Sequence, residues 1–127
     1  MTIAPNDVNV LSIQSDDDDF QAGTPINLKV LAEVGSALFG TGGKYRIRLT
    51  LTDITDPALL DSQDIVGNFS DANWPKAGEN VFSFTVPAAA TKGRAGNLVQ
   101  PQARLVGNVV APFDNSFTIG DTLVLAL

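Results

Sequence analysis

The sequence predicts an all-β fold, a single antiparallel β-sandwich of about seven strands. Apolar and polar residues alternate with a period of two along several short segments, which is typical of half-buried strands. Turn-forming Gly, Pro, Asn and Asp residues separate these segments at the spacing of antiparallel strands. No amphipathic helix of about ten residues or more is visible, so a parallel sheet with crossover helices is excluded.

The first three strands show the alternation most clearly, and they are predicted over residues 7–14, 24–34 and 44–53. In the second strand the apolar residues from Ile26 to Val34 occupy every other position, and between them stand Asn27, Lys29, Leu31 and Glu33. Each of these strands therefore has one face toward the core and one toward solvent.

The remaining strands are predicted over residues 60–66, 81–87, 99–109 and 113–127. The first of these carries the weakest signal, because Asp56 and Pro57 also fit the N-cap and first position of a single helical turn. We expect one domain over residues 1–127, with a loose N-terminal segment over residues 1–6.

The composition lacks the residue types that enzymes most often use for catalysis. The 127 residues include no Cys and no His, so disulfides, thiolate and imidazole metal ligands and the commonest proton-transfer group are absent. The net charge of −6 argues against nucleic acid or an anionic membrane as a partner, since both require a cationic surface. We expect no catalytic residues.

The N-terminal residues contain neither the basic region nor the apolar region of a secretory signal, and no stretch of about 18 apolar residues follows. The chain is then cytosolic, exported with its signal already removed, or part of a particle. Lys and Glu are scarce among the polar residues, which first reflects strand content and then favours an extracellular, cell-surface or particle location.

Three segments carry a resemblance to a known fold family: GTPINL from Gly23, YRIRL from Tyr45 and FSFTVP from Phe82. Together with the strand pattern, they resemble bacterial immunoglobulin-like or fibronectin-like sandwich domains. The Cys, Trp and Cys core of antibody domains is missing, and Trp74 falls in a loop. The resemblance implies a fold and no particular function.

In the immunoglobulin strand order, loops alternate between the two ends of the sandwich. One end then collects residues 15–23, 52–60 and 88–97, and carries six aspartates: Asp16, Asp17, Asp18, Asp19, Asp53 and Asp56. Their repulsion is relieved either by a bound Ca²⁺ ion or by solvent and salt, with Lys92 and Arg94 as neighbouring cations. The run does not match the EF-hand pattern, and no other cofactor is expected.

The opposite end collects residues 35–43, 67–80 and 107–113. Its large apolar residues are Leu38, Phe39, Phe69, Trp74 and Phe113. They form either an exposed binding patch anchored by Trp74 or a cap over the open end of the core.

A third feature is a row of cations that alternates with the apolar residues of the third strand. Lys44, Arg46 and Arg48 lie on its outward face, and Arg104 of the sixth strand is expected beside them. The row is either an ordinary solvated face or a receptor for an acidic surface of another copy.

We therefore expect a non-enzymatic structural or protein-interaction module, a self-assembling component of a surface layer, filament or particle that binds a protein partner or copies of itself. The long final strand, which ends without charged residues after Asp121, invites edge pairing unless residues 1–6 cover it. The alternative is a carbohydrate-binding module that uses Trp74 and Phe39 and is stabilised by Ca²⁺.

Overall fold

The computed structural model describes residues 3–5, 7–15, 20–108, 114–120 and 122–126. Within these ranges the chain is built almost entirely of strands. They are β1 (Val8–Ser15), β2 (Phe20–Gln21), β3 (Ile26–Val34), β4 (Lys44–Asp53), β5 (Ala58–Asn68), β6 (Gly78–Val86), β7 (Leu98–Asn108), β8 (Asp114–Ile119) and β9 (Leu123–Ala126). The helical elements are α1 (Ser36–Gly40) and a 3₁₀ turn (Ala88–Ala90). The predicted all-β class is confirmed.

The strands form two sheets. One has three strands in the order β1-β3-β6, and all of its pairs are antiparallel. The other has the order β2-β9-β7-β4-β5, with β8 also paired to β7, and it is strongly curled. The buried apolar side chains of both sheets form one hydrophobic core.

The core is built from side chains that alternate with solvent-facing ones along each strand. On β3 every second residue from Ile26 to Val34 is buried, and on β4 every second residue from Tyr45 to Asp53 is buried. The bounds of β4 are those that the sequence predicts, because its alternation is uninterrupted and Gly43 precedes it.

The strand count and the pairing differ from the prediction. The described residues contain nine strands, not seven, because β2 forms within a predicted loop and the predicted last strand is divided at Gly120. β2 runs parallel to β9, so the fold is not purely antiparallel. The division falls where Pro101, which has no N–H, would be the next partner on β7; there the Gly120 N–H donates to the Pro101 carbonyl at 3.0 Å.

The N-terminal segment is held in place where it is described. The Pro5 carbonyl accepts a hydrogen bond from the Leu38 N–H at 2.9 Å, and Gly35 donates to the Asp7 carbonyl at 2.9 Å. A Cβ on Gly35 would lie 2.5 Å from the Pro5 carbonyl oxygen, so only glycine allows this approach. Within the predicted loose segment over residues 1–6, Pro5 thus lies against the start of α1.

No helix in the described part of the chain is long and apolar enough to cross a membrane.

Candidate functional site

Three regions of the molecule carry the residues that the sequence singles out: the end with the aspartates, the end with the aromatic residues, and the outer face of the curled sheet. At the first end, the loops that the strand order assigns to it do meet. The Gly23 N–H donates to the Thr91 hydroxyl at 2.9 Å, which joins residues 15–23 to residues 88–97.

Asp53 is fully buried at this end and is bound by protein donors on both carboxylate oxygens. Its Oδ1 accepts from the backbone N–H groups of Thr55 and Asp56 at 2.9 and 3.0 Å. Its Oδ2 accepts from Arg94 Nη1 at 3.0 Å and Asn97 Nδ2 at 2.7 Å. Asp53 thus closes the β4–β5 turn and ties it to the loop before β7.

These bonds decide the charge state of Asp53. Burial by itself would raise the pKa of the carboxyl, but the hydrogen bonds from Asp56, Asn97, Arg94 and Thr55 outweigh it and lower the pKa to about 2. Asp53 is therefore ionised, and its two oxygens are occupied by hydrogen-bond donors of the protein, so it is not available to bind a cation.

This arrangement excludes Asp53 as a ligand of the predicted Ca²⁺ site. Asp53 is neutralised by Arg94, and Asp56 is exposed in the turn, so these two carboxylates do not converge on a common ion. Asp16, Asp17, Asp18 and Asp19 lie outside the described residues. Among the residues described, no three carboxylates are arranged to hold a metal ion.

The opposite end contains a cluster of four aromatic rings. Trp74 contacts Tyr45, Phe69 and Phe82 with ring centroids 5.2 Å apart and edge-to-face geometry in each pair. Trp74 is 0% exposed and Phe69 is 1% exposed. Offset and edge-to-face pairs of this kind stabilise a core beyond the area that they bury.

Asp71 organises the loop that carries Trp74. Its Oδ1 accepts from the Asn73 N–H, the Trp74 N–H and the Tyr45 hydroxyl at 2.9, 3.1 and 3.2 Å, and its Oδ2 accepts from the Asn68 N–H at 3.0 Å. Burial alone would raise the pKa of Asp71, but these hydrogen bonds outweigh it and lower the pKa below its usual value. Burial, together with the Asp71 charge, raises the pKa of Tyr45.

The exposed binding patch predicted at this end is corrected. Trp74 and Phe69 are buried in the core, whereas Leu38 and Phe39 are half-buried and pack against it. Phe113 lies outside the described residues. An indole buried on all sides cannot stack on a ligand, so the arrangement is the cap over the core that the sequence allowed as the alternative.

The cations lie on the outer face of the curled sheet. Arg48 of β4 stands directly opposite Arg104 of β7 and Asp64 of β5. A surface cavity of about 200 Å³ opens here, and its lining residues are Arg46, Arg48, Thr50, Gln102, Ala103 and Arg104. We call it the basic groove. Lys44 is exposed at the start of β4, opposite Asn68, and is not one of the lining residues.

Asp64 of β5 borders the basic groove. Asp64 accepts two parallel hydrogen bonds from Arg48, from Nε at 2.8 Å and from Nη2 at 3.0 Å. The hydrogen bond from Arg48 is the main cause that lowers the pKa of Asp64, and the Arg46 charge lowers it further. The pair orients the Arg48 guanidinium, and no acidic residue is among the lining residues that the structure describes.

Exposed apolar residues flank the basic groove on the same sheet face. Val66 is 63% exposed and stands directly opposite Arg46. Further along, Leu98 and Val124 stand opposite each other on β7 and β9, and Leu59 lies on β5; all three are exposed.

Sequence reasoning found the cations but missed the residues that orient and shape the groove. Asp64, Thr50 and Gln102 carry no local motif, and they reach the groove only through strand register. The one available signal was the alternation of β5, which places Asp64 and Val66 on the same face. Asp71 had no signal in the sequence beyond its position in a turn-rich loop.

No protein-family model and no curated protein matches the sequence. Several solved structures are similar in fold. The sporulation control protein Spo0M from Bacillus subtilis shares 15% identity at a TM-score of 0.53, over 95% of this chain and 50% of that one. A glycosyl hydrolase family 2 member from Bacteroides cellulosilyticus shares 12% identity at a TM-score of 0.50, over 88% of this chain and 14% of that one. The chain thus spans half or less of these proteins, and the likeness concerns the fold alone.

Proposed function

We propose that this chain is a non-enzymatic protein-interaction module with an immunoglobulin-like sandwich fold, which docks an acidic protein surface on the basic groove. The strand orders β1-β3-β6 and β9-β7-β4 support the immunoglobulin-like assignment, because they match the two sheets of that fold in chain order. The rigid sheet holds the groove, so the surface is formed before the partner arrives.

One observation carries the proposal: a protein of net charge −6 gathers three of its eight basic residues around a single groove. Arg46, Arg48 and Arg104 occupy adjacent register positions, and like charges opposite one another on a sheet lower its stability. Such a concentration steers an anionic partner toward the groove and sets its orientation. The exposed Val66 beside Arg46 supplies apolar contact area at the border.

The carbohydrate-binding alternative rested on an exposed Trp74 that would stack on a sugar ring. Trp74 is buried, and the half-buried Phe39 packs against the core, so neither offers an open aromatic face. We therefore do not propose it as a second function.

The test is a fluorescence anisotropy titration of labelled poly-L-glutamate, a probe for acidic protein surfaces. We expect binding to the wild-type protein at low salt, and a loss of about tenfold in affinity, or about 1.4 kcal/mol, in the double variant Arg46→Gln/Arg104→Gln. Binding should also weaken as salt rises, since exposed charges are screened.

The matched control is Lys76→Gln/Lys92→Gln, which removes the same charge from two exposed loop positions outside the groove. If both double variants lose affinity equally, the attraction is diffuse and the groove is not a docking site. Binding of a neutral polysaccharide with no binding of poly-L-glutamate would also overturn the proposal.

A further inference from the structure

The outer face of the three-stranded sheet carries the opposite charge pattern to the basic groove. Glu33 on β3 and Glu79 on β6 are the only glutamates in the chain, and they stand directly opposite each other in the sheet. Both side chains point away from the core, since their neighbours Ala32, Val34 and Phe82 supply the buried positions. We call Glu33 and Glu79 the acidic pair.

Like charges directly opposite each other are unfavourable in an antiparallel sheet. Within the described part of the chain, Glu33 Oε1 accepts a hydrogen bond from Asn9 Nδ2 at 3.1 Å. An amide donor supplies no positive charge, so the repulsion between the two carboxylates is not neutralised by it. A cation from outside the chain would remove this cost.

Apolar side chains lie beside both the acidic pair and the basic groove. Next to the acidic pair, two residues along each strand, Leu31 and Val81 stand opposite each other, and Val81 is 52% exposed. Next to Arg48 and Arg104, again two residues along, Val66 and Val106 flank Arg46. On the acidic face an apolar row follows the charged row at a spacing of about 6.8 Å, twice the rise per residue of a strand, and on the basic face the row at that spacing holds Val66 and Val106 on either side of Arg46.

We infer that the partner of the basic groove is a second copy of this chain, which presents its acidic pair to the arginines and lays its Leu31 and Val81 row on the valines beside Arg46. The inference rests on the proposed function, since it names the partner of the same groove. Because the groove and the acidic pair lie on opposite outer faces, the contact is head to tail. A contact of this type does not close into a symmetric dimer but continues from copy to copy into a filament.

The test is sedimentation velocity of the wild-type protein over a wide concentration range at about 10 mM and about 1 M NaCl, where the screening lengths are about 30 Å and about 3 Å. At low salt we expect a mass that rises with concentration beyond that of a dimer. At high salt the association should weaken by at least about tenfold, because the paired charges are screened.

Two double variants separate the faces. Glu33→Gln/Glu79→Gln removes the acidic pair and keeps the groove, whereas Arg46→Gln/Arg104→Gln removes two groove cations and keeps the acidic pair. Each variant alone should lose association by at least about tenfold, and an equimolar mixture should form a 1:1 complex that grows no further. Lys76→Gln/Lys92→Gln serves as the control that keeps both faces, and thermal melts check that every variant is folded.

Three results would overturn the inference: a wild-type protein that stays monomeric at low salt, one that stops at a dimer, or association that persists in either double variant. A monomeric wild-type protein that still binds poly-L-glutamate through Arg46 and Arg104 would refute only the choice of partner. Loss of both behaviours would refute the proposed function as well.

Discussion

Replacement of Asp53 by Asn removes the charge at the centre of the aspartate-bearing end while keeping the shape of the side chain. The two carboxylate oxygens each accept two hydrogen bonds, so the amide group of Asn must face two donors in either orientation. A buried donor left without an acceptor costs about 1 to 3 kcal/mol, and breaking a buried ion pair costs about 3 to 5 kcal/mol. We expect Asp53→Asn to lower the free energy of unfolding by about 3 to 5 kcal/mol.

In thermal melts followed by circular dichroism, this loss corresponds to a fall in Tm of about 10 to 20 °C for a domain of this size. The effect should depend on pH in a defined direction. Because the pKa of Asp53 in the folded protein is lowered to about 2, its contribution is fully present above the unfolded value of 3.8 and is lost as the pH falls toward about 2.

The difference in Tm between the wild-type protein and Asp53→Asn should therefore shrink below about pH 4, even though other carboxyls titrate in both proteins. Asp56→Asn is the matched control: it removes the same charge from an exposed carboxylate of the same turn, so the free energy of unfolding should change by no more than about 0.5 kcal/mol. A fall in Tm below about 3 °C for Asp53→Asn, or a difference that does not change with pH, would refute the assigned role of Asp53.

Three further predictions concern the aromatic end. Trp74→Ala should cost about 3 to 5 kcal/mol in urea unfolding and Trp74→Phe much less, because in the described structure the indole N–H has no hydrogen-bond partner to lose; equal costs would contradict this. Gly67→Ala should cost about 1 to 3 kcal/mol, since its Cβ would press on the Asp71 carboxylate and lie 2.8 Å from the Tyr45 hydroxyl, and a neutral effect would exclude that close packing. Tyr45, the only tyrosine, should ionise above the usual pH in an absorbance titration, because its pKa is raised. Its contribution to stability is therefore complete below about pH 10 and is lost as the pH rises through the raised pKa. A tyrosine that ionises at the usual pH would show that the hydroxyl is solvated.

The burial of the aromatic end changes which surface is available for function. The packing of Phe69 and Trp74 against Tyr45 explains why two large aromatic residues are found in a loop. Among the described residues, the outer faces of the two sheets are then the surfaces with uneven charge. The charged residues of both faces alternate with core residues along their strands, so the core holds these charged residues in place.

The sequence by itself determined the fold class, the position of β4 and the outward row of Arg46 and Arg48. These properties depend on the local alternation of side chains along one strand, and a period of two is visible without knowledge of what lies next to that strand. For the same reason, the sequence also predicts that Arg104 lies beside Arg48, once their two strands are assumed to pair.

Only the tertiary structure decided whether Trp74 is exposed, which donors satisfy Asp53, and that Glu33 and Glu79 stand side by side. Each of these depends on contacts between segments far apart in the chain: Arg94 lies 41 residues from Asp53, and the two glutamates are joined through the register of β3 and β6. Burial and register follow from the packing of the whole core, and a shift of one residue in register would turn every side chain of a strand to the other face. No local pattern in the sequence contains that information.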